Sequence, residues 1–124
     1  MATTDAALTG AAFAQAYANG DYDGAQALLA PDVRYREITP KQIVDETGPE
    51  PIISEVREFL GRFDRHVTLG VETGRIAGRE FARTRWRLFE GDEVKVVEWC
   101  QYMTIEDGRV AALDVVCSGP MLER

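Results

Sequence analysis

Two polar residues that could do chemistry face each other across the last predicted hairpin of the chain. The hairpin turns at Asp107-Gly108, a dipeptide that favours a two-residue type I′ turn because both positions need positive φ. Pairing outward from this turn sets Gln101 opposite Asp114, on an apolar face shared with Trp99. Burying a carboxylate and an amide among apolar side chains is unfavourable unless hydrogen-bond partners satisfy them or they serve a function. We therefore interpret both as candidate site residues.

Each of these two residues has a catalytic and a structural interpretation. Asp114 could act as an acid or base or orient a ligand, and Gln101 could donate to a developing enolate or hold a water. Alternatively, the amide only satisfies the carboxylate. The pairing is conditional, since a slip of one residue at the turn would send Asp114 to the opposite face. In the predicted register that opposite face carries Cys100 and Cys117, which we expect to be reduced thiols without a zinc or redox role.

Length and charge restrict the classes of protein to which the chain could belong. Its 124 residues fit one domain, taken as residues 1–124, and its formal charge of -7 argues against nucleic acid as a partner. No apolar run reaches membrane-spanning length and the first residues lack a signal peptide pattern, so we expect a cytoplasmic protein without a membrane partner. With one histidine, His66, and no phosphate-binding glycine loop, we expect neither a metal nor a cofactor.

Helical periodicity predicts three helices in the first half of the chain. Apolar residues recur at helical spacing over residues 5–18 and again over residues 49–63. Between them, Asp21 is the expected N-cap of a short helix. The segment from 40 to 48 is loop-like or a loose turn of helix, and we assign it no structure.

Strand periodicity governs the remaining segments. Residues 33–38 alternate, with Val33, Tyr35 and Glu37 on one face. From residue 67 onward the alternation predicts a meander of four antiparallel strands, with turns at Gly78, Gly91-Asp92 and Asp107-Gly108. This order of elements predicts an α+β fold with helices packed on one face of a curved antiparallel sheet.

The predicted sheet has one apolar face and one charged face. Pairing through Gly91-Asp92 sets Thr84 opposite Trp99 and places Trp86 on the same face as Gln101. We interpret this face as a cavity wall whose two tryptophans suit a flat apolar ligand, with core packing as the alternative. Arg85 joins the other face, where we expect a second subunit and hence a homodimer, a solvated surface being the alternative.

The most distinctive stretch of the chain is AYANGDYDGAQALLAPDVRY at residues 16–35. Its helix, Gly-Asp helix start and Asp-Val strand resemble the nuclear transport factor 2-like superfamily, in the branch of ketosteroid isomerases and SnoaL-like polyketide cyclases. The resemblance extends from Phe13 to Gly119 and includes the closing Asp-Gly turn. It implies a cystatin-like cone, in which a mixed-order sheet wraps around helices and encloses a pocket. Because the superfamily includes several enzyme classes and proteins without chemistry, the resemblance implies the fold more strongly than a reaction.

The resemblance also implies roles for individual residues. Glu37 falls where ketosteroid isomerases keep a general-base carboxylate, and an apolar cleft would raise its pKa toward a useful range. The alternative is a carboxylate paired with a nearby arginine. Gln101 falls near the oxyanion-hole aspartate and Phe13 at the oxyanion-hole tyrosine, so that pair is not reproduced. Asp114 is similar in place to a late carboxylate of the SnoaL-like and epoxide hydrolase branches.

These observations together predict a small-molecule enzyme with cofactor-independent acid/base chemistry. The reaction would be of isomerase, cyclase, dehydratase or epoxide hydrolase type, on an apolar carbonyl or epoxide ligand held between two tryptophans. A non-catalytic ligand-binding or dimerisation module is the alternative. The candidate catalytic residues are Asp114, Glu37 and Gln101, and the candidate substrate-binding residues are Trp99, Trp86, Tyr17, Tyr35, Phe13, Thr84 and Met103.

Overall fold

A computed structural model describes residues 8–123 and contains three helices and seven strands over that range. The helices are α1 (Thr9–Ala18), α2 (Tyr22–Ala27) and α3 (Pro49–Gly61). The strands are β1 (Leu29–Ile38), β2 (Ile43–Thr47), β3 (Arg65–Ile76), β4 (Arg79–Glu90), β5 (Glu93–Glu106), β6 (Arg109–Cys117) and β7 (Met121–Leu122). The predicted order of elements is confirmed, and the structure adds two strands that were not predicted, β2 and β7. The start of the first predicted helix, residues 5–7, lies outside the described residues.

All seven strands form one mixed sheet, which confirms the predicted α+β class. The strand order is β2-β1-β6-β5-β4-β3, and β7 pairs with β5. The four-strand meander is antiparallel as predicted, whereas β1 pairs in parallel with β6. The previously unassigned segment contains β2, an edge strand antiparallel to β1.

The helices pack on the concave face of this sheet and close its core. α1 contacts β3, β4, β5 and β6, while α3 contacts β1. Between them lies an aromatic cluster in which Tyr17 contacts both Trp86 and Trp99, with ring centroids 6.1 and 5.7 Å away. Each such side chain contributes about 1.5–3 kcal/mol when it is fully buried, so this cluster is a main source of stability.

Local signals at the helix starts agree with the structure. The side chain of Asp21 accepts a hydrogen bond from the backbone N–H of Gly24 at 3.0 Å, as an N-cap should. α3 begins at Pro49, whose missing N–H costs nothing in the first helical turn. Gly48, just before it, has φ 102°, a backbone conformation that residues with a Cβ rarely adopt.

The pairing of β4 with β5 is as predicted, but the pairing of β5 with β6 is wrong beyond the turn. Asp107 and Gly108 have φ of 53° and 75°, in agreement with a type I′ turn, and Ile105 pairs with Val110. Thr104 then pairs with Ala112, so that Ala111 is an extra residue on β6. This β-bulge shifts every later pair by one residue, so that the residues of β6 predicted to face inward face outward and the reverse.

The bulge has a clear energetic reason. It buries Leu113, Val115 and Cys117 in the core, whereas the predicted register would have buried Ala112, Asp114 and Val116. The observed register therefore buries more apolar surface and leaves the carboxylate in contact with solvent. The two cysteines are both free, as expected, but they lie on opposite faces, because the bulge turns Cys117 inward while Cys100 stays on the outer face.

Candidate functional site

A pocket of about 360 Å³ opens at one end of the cone. Its walls come from the end of β1 and the following turn, from one face of α3, and from the inner ends of β5 and β6. The lining residues are Glu37, Thr39, Pro40, Lys41, Gln42, Glu55, Phe59, Arg62, Phe63, Trp99, Cys117, Gly119 and Pro120. The pocket is of the size that small-molecule sites usually have, and its lining combines aromatic and charged side chains.

Glu37 is the buried carboxylate of this pocket. It lies on the inner face of β1, where the side chain is 2% exposed, and it accepts a hydrogen bond from the hydroxyl of Tyr35 two residues earlier. The alternative of a salt bridge to an arginine is wrong: within residues 8–123 no cation lies within 4.0 Å of Glu37, and Arg36 approaches Asp114. Burial raises the pKa of Glu37; the Tyr35 hydrogen bond opposes the rise and the charge of Glu55 adds to it.

Gln101 lies in the same transverse row of the sheet as Glu37. Gln101 pairs with Val115 across β5 and β6, and Val115 pairs with Glu37 across β6 and β1. Two strand spacings separate the two backbones, roughly 10 Å. The amide of Gln101 is fully buried, and neither its nitrogen nor its oxygen has a hydrogen-bond partner among the described residues.

Asp114 does not lie in the pocket, which corrects the prediction from sequence. Because of the bulge it pairs with Tyr102, on the outer face of the sheet. Arg79 Nη2 donates to Asp114 Oδ2 at 2.8 Å, and the Asp114 side chain is 42% exposed. Gln101 and Asp114 therefore do not face each other, and the geometry gives Asp114 no place in a chemistry performed inside the cone.

The predicted ligand position between two tryptophans is also wrong. The rings of Trp86 and Trp99 contact each other edge to face, with centroids 4.8 Å apart, which leaves no room for a ligand. Trp99 does line the pocket. The other predicted binding residues are all buried and none of them lines the pocket; they are Trp86, Tyr17, Tyr35, Phe13, Thr84 and Met103.

Several pocket residues were missed by the sequence analysis. Cys117 was assigned to the outer face, yet its Sγ lies inside and accepts a hydrogen bond from Trp99 Nε1, and burial raises the pKa of its thiol. Glu55, Phe59 and Arg62 line the pocket from α3. Their spacing of four and then three residues was a readable signal, because residues at i, i+4 and i+7 share one helix face.

Residues 8–123 contain neither a cluster of metal ligands nor a membrane-spanning helix. No group of three or more His, Cys, Asp or Glu side chains in this range is arranged to hold a metal ion. None of its helices is long and apolar enough to cross a bilayer.

Comparison with known sequences identifies the family. Residues 11–113 match the sequence profile of the SnoaL-like domain. A comparison with curated proteins gives no significant match.

Comparison with solved structures identifies the nuclear transport factor 2-like fold. An NTF2-like protein from Burkholderia thailandensis has a TM-score of 0.71 at 13% identity, over 89% of this chain and 88% of that chain. A candidate polyketide cyclase from Xanthomonas campestris has a TM-score of 0.67 at 16% identity, over 87% and 86%. An LEH-like epoxide hydrolase from M. tuberculosis has a TM-score of 0.65 at 20% identity, over 93% and 84%. At these identities the similarity shows the fold and not a shared reaction.

Proposed function

Because this chain belongs to the SnoaL-like domain family, we propose that it is a small-molecule enzyme in which Glu37 acts as the general base of cofactor-independent acid/base chemistry. The observation that carries the proposal is a buried carboxylate with a raised pKa at the wall of a pocket that Phe59 and Trp99 also line. Perturbed carboxylates in clefts are frequent at sites of proton transfer. The related folds of a candidate polyketide cyclase and an epoxide hydrolase fit this class of chemistry.

The proposed reaction begins with removal of a proton from carbon. Ionised Glu37 takes a proton from the carbon next to a ligand carbonyl, and the electron pair of that C–H bond forms an enolate. The hydroxyl of Tyr35 holds the carboxylate in place. Gln101 is the next inward-facing residue after Trp99 on β5 and lies buried beyond the residues that line the pocket. Its unpaired amide N–H would donate to the enolate oxygen of a ligand that reaches past Trp99. Return of the proton from Glu37 to a different carbon completes an isomerisation.

A non-catalytic ligand-binding protein is the second candidate function. The observation that favours it is the exclusion of Asp114, which leaves the wall of the cone without the second carboxylate predicted from sequence. With Glu37 already bonded to Tyr35, the same polar groups would only orient a ligand.

Direct titration of Glu37 separates these two candidates. We expect the side-chain carboxyl ¹³C resonance of Glu37 to titrate above the ordinary value of 4.5, because burial disfavours the charged form. In Tyr35→Phe the midpoint should rise further, since the hydroxyl that stabilises the carboxylate is lost. A midpoint at the ordinary value in the unaltered protein would exclude a tuned general base and favour the binding module.

We also propose a homodimer through the outer face of the sheet. Ile38 pairs with Ile43 on one side and with Val116 on the other, so three exposed apolar side chains form a row across three strands. Continuous exposed apolar surface on a sheet commonly marks an interface.

Sedimentation of an interface variant tests this dimer. Ile38→Asp should shift the protein from dimer to monomer in analytical ultracentrifugation, because it places a charge in the apolar row. Ile76→Asp is the matched control, since Ile76 is similarly exposed, at 53% against 48% for Ile38, but lies at the far end of β3. A monomer at all concentrations in the unaltered protein would refute the proposal.

A further inference from the structure

Two cations at the pocket mouth have no carboxylate partner. Lys41 and Arg62 both line the pocket, and neither has an acidic group within 4.0 Å among residues 8–123. The chain has a formal charge of -7, so acidic side chains outnumber basic ones. On the outer sheet face Arg85 and Arg87 are each bonded to a glutamate. Other cations among residues 8–123, such as Arg75 and Arg109, also have no carboxylate within 4.0 Å, and Lys41 and Arg62 differ from these two in lining the pocket. The absence of partners at the pocket mouth leaves two positive groups available to a ligand.

The two cations are held by ordered backbone on opposite sides of the opening. Lys41 lies in a turn after β1, in which the backbone N–H groups of Lys41 and Gln42 donate to Thr39 Oγ1 at 3.2 and 3.0 Å. Arg62 is the C-cap residue of α3, and its N–H bonds back into the last helical turn. The backbone of both residues is therefore held in place, although their side chains are exposed to solvent.

The pocket is polarised between this mouth and its interior. Thr39, at the base of the Lys41 turn, follows Glu37 by two residues, which is about 7 Å along an extended strand. Glu55 precedes Arg62 by two helical turns on the same face of α3, about 10 Å away along the axis. Negative groups therefore lie toward the interior and positive groups toward the mouth, with Phe59 and Trp99 between them.

We propose that the pocket takes a small amphipathic carboxylate, with an apolar ring against Phe59 and Trp99 and the carboxylate at the mouth between Lys41 and Arg62. This inference rests on the proposed function and names its substrate class. The opposite orientation would bring the carboxylate toward Glu37 and Glu55, which repel it. The bound orientation thus presents the ring carbons to Glu37.

Matched ligands test the charge requirement. We propose calorimetry at neutral pH with three probes of nearly equal shape: 1-naphthaleneacetate, 1-naphthaleneacetamide and 1-naphthylmethylammonium. The carboxylate should bind about tenfold more tightly than the amide, as expected for two partly exposed ion pairs. This preference should fall as salt is raised to about 0.5 M, because such pairs are screened.

Variants with equal changes in net charge localise the effect. Lys41→Met with Arg62→Met should bring the carboxylate to within about twofold of the amide while binding of the amide persists. Arg75→Met with Arg109→Met removes the same charge from two exposed residues outside the pocket lining and should keep the tenfold preference.

Three results with the unaltered protein would overturn the inference: equal binding of carboxylate and amide, tighter binding of the ammonium probe, or binding of none of the three. Loss of the preference in the Arg75 and Arg109 control would also overturn it, because the effect would then be one of net charge. The titration of Glu37 needs no ligand. It therefore decides the proposed function independently of these outcomes.

Discussion

Replacement of Glu37 by glutamine is expected to reduce catalysed proton exchange by about 10²–10⁴-fold, the usual contribution of a positioned general base. The measurement is deuterium incorporation next to the carbonyl of 2-tetralone in D₂O, followed by NMR, which tests proton abstraction without knowledge of the natural substrate. Glutamine preserves the shape of the side chain but cannot accept the proton. The rate in the unaltered protein should rise with pH through the pKa of Glu37, which burial places above 4.5, because only the carboxylate is active.

The matched control for this variant is Asp114→Asn, which makes the same carboxylate-to-amide change on the outer face of the sheet. We expect its exchange rate to stay within about twofold of the unaltered protein. If Asp114→Asn abolished exchange while Glu37→Gln retained it, the assignment of the general base would be wrong.

Stability measurements separate lost chemistry from lost folding in Glu37→Gln. The folded state raises the pKa of Glu37, so it binds this proton more tightly than the unfolded chain does. The contribution of Glu37 to the free energy of unfolding therefore falls as pH rises from the unfolded pKa through the folded pKa. Glutamine carries no charge to desolvate, and we expect the variant to be at least as stable as the unaltered protein at neutral pH.

The meander was predictable from sequence because its signals are local. Two-residue alternation identified β3 to β6, and the turn at Gly91-Asp92 fixed the pairing of Trp86 with Val97 without any irregularity. The parallel pairing of β1 with β6 joins residues about 80 positions apart, and alternation carries no signal for such a partner. β2 was missed because four of its five residues are exposed and it has no buried face to create a pattern.

The error at the last hairpin shows which signal should have had priority. The Asp-Gly turn was correct, but turn geometry fixes only the nearest pairs. Ala111 and Ala112 are small enough to lie on either face, so nothing in their types announced the bulge. The alternation further along β6 did indicate the register. Leu113, Val115 and Cys117 are more apolar than the residues between them, and a register that buried Asp114 conflicted with this pattern.

Gln101 is buried as predicted, but among the described residues its amide lacks the hydrogen-bond partner that was expected for it. A primary amide without hydrogen bonds is costly inside a protein. The hydroxyl of Thr84, on the neighbouring strand, also has no partner within residues 8–123. Two unsatisfied polar side chains on the inner face of one sheet lower the stability of the protein and, within the described part of the chain, form no hydrogen bond that supports the fold. Such costs are typical of sites that serve a ligand.

Replacement of Gln101 by leucine should therefore stabilise the protein, by about 1–3 kcal/mol in urea denaturation, because an apolar side chain of similar size removes the unpaired amide. The same variant should slow 2-tetralone exchange by about 10²-fold if the amide donates to the enolate oxygen. Gln42→Leu is the control for the change of residue type, since Gln42 is exposed at the pocket mouth, and its stability should change by less than about 0.5 kcal/mol. A loss of stability in Gln101→Leu would mean that the amide is satisfied within the fold and serves its structure. A gain of stability with unchanged exchange would remove Gln101 from the proposed chemistry.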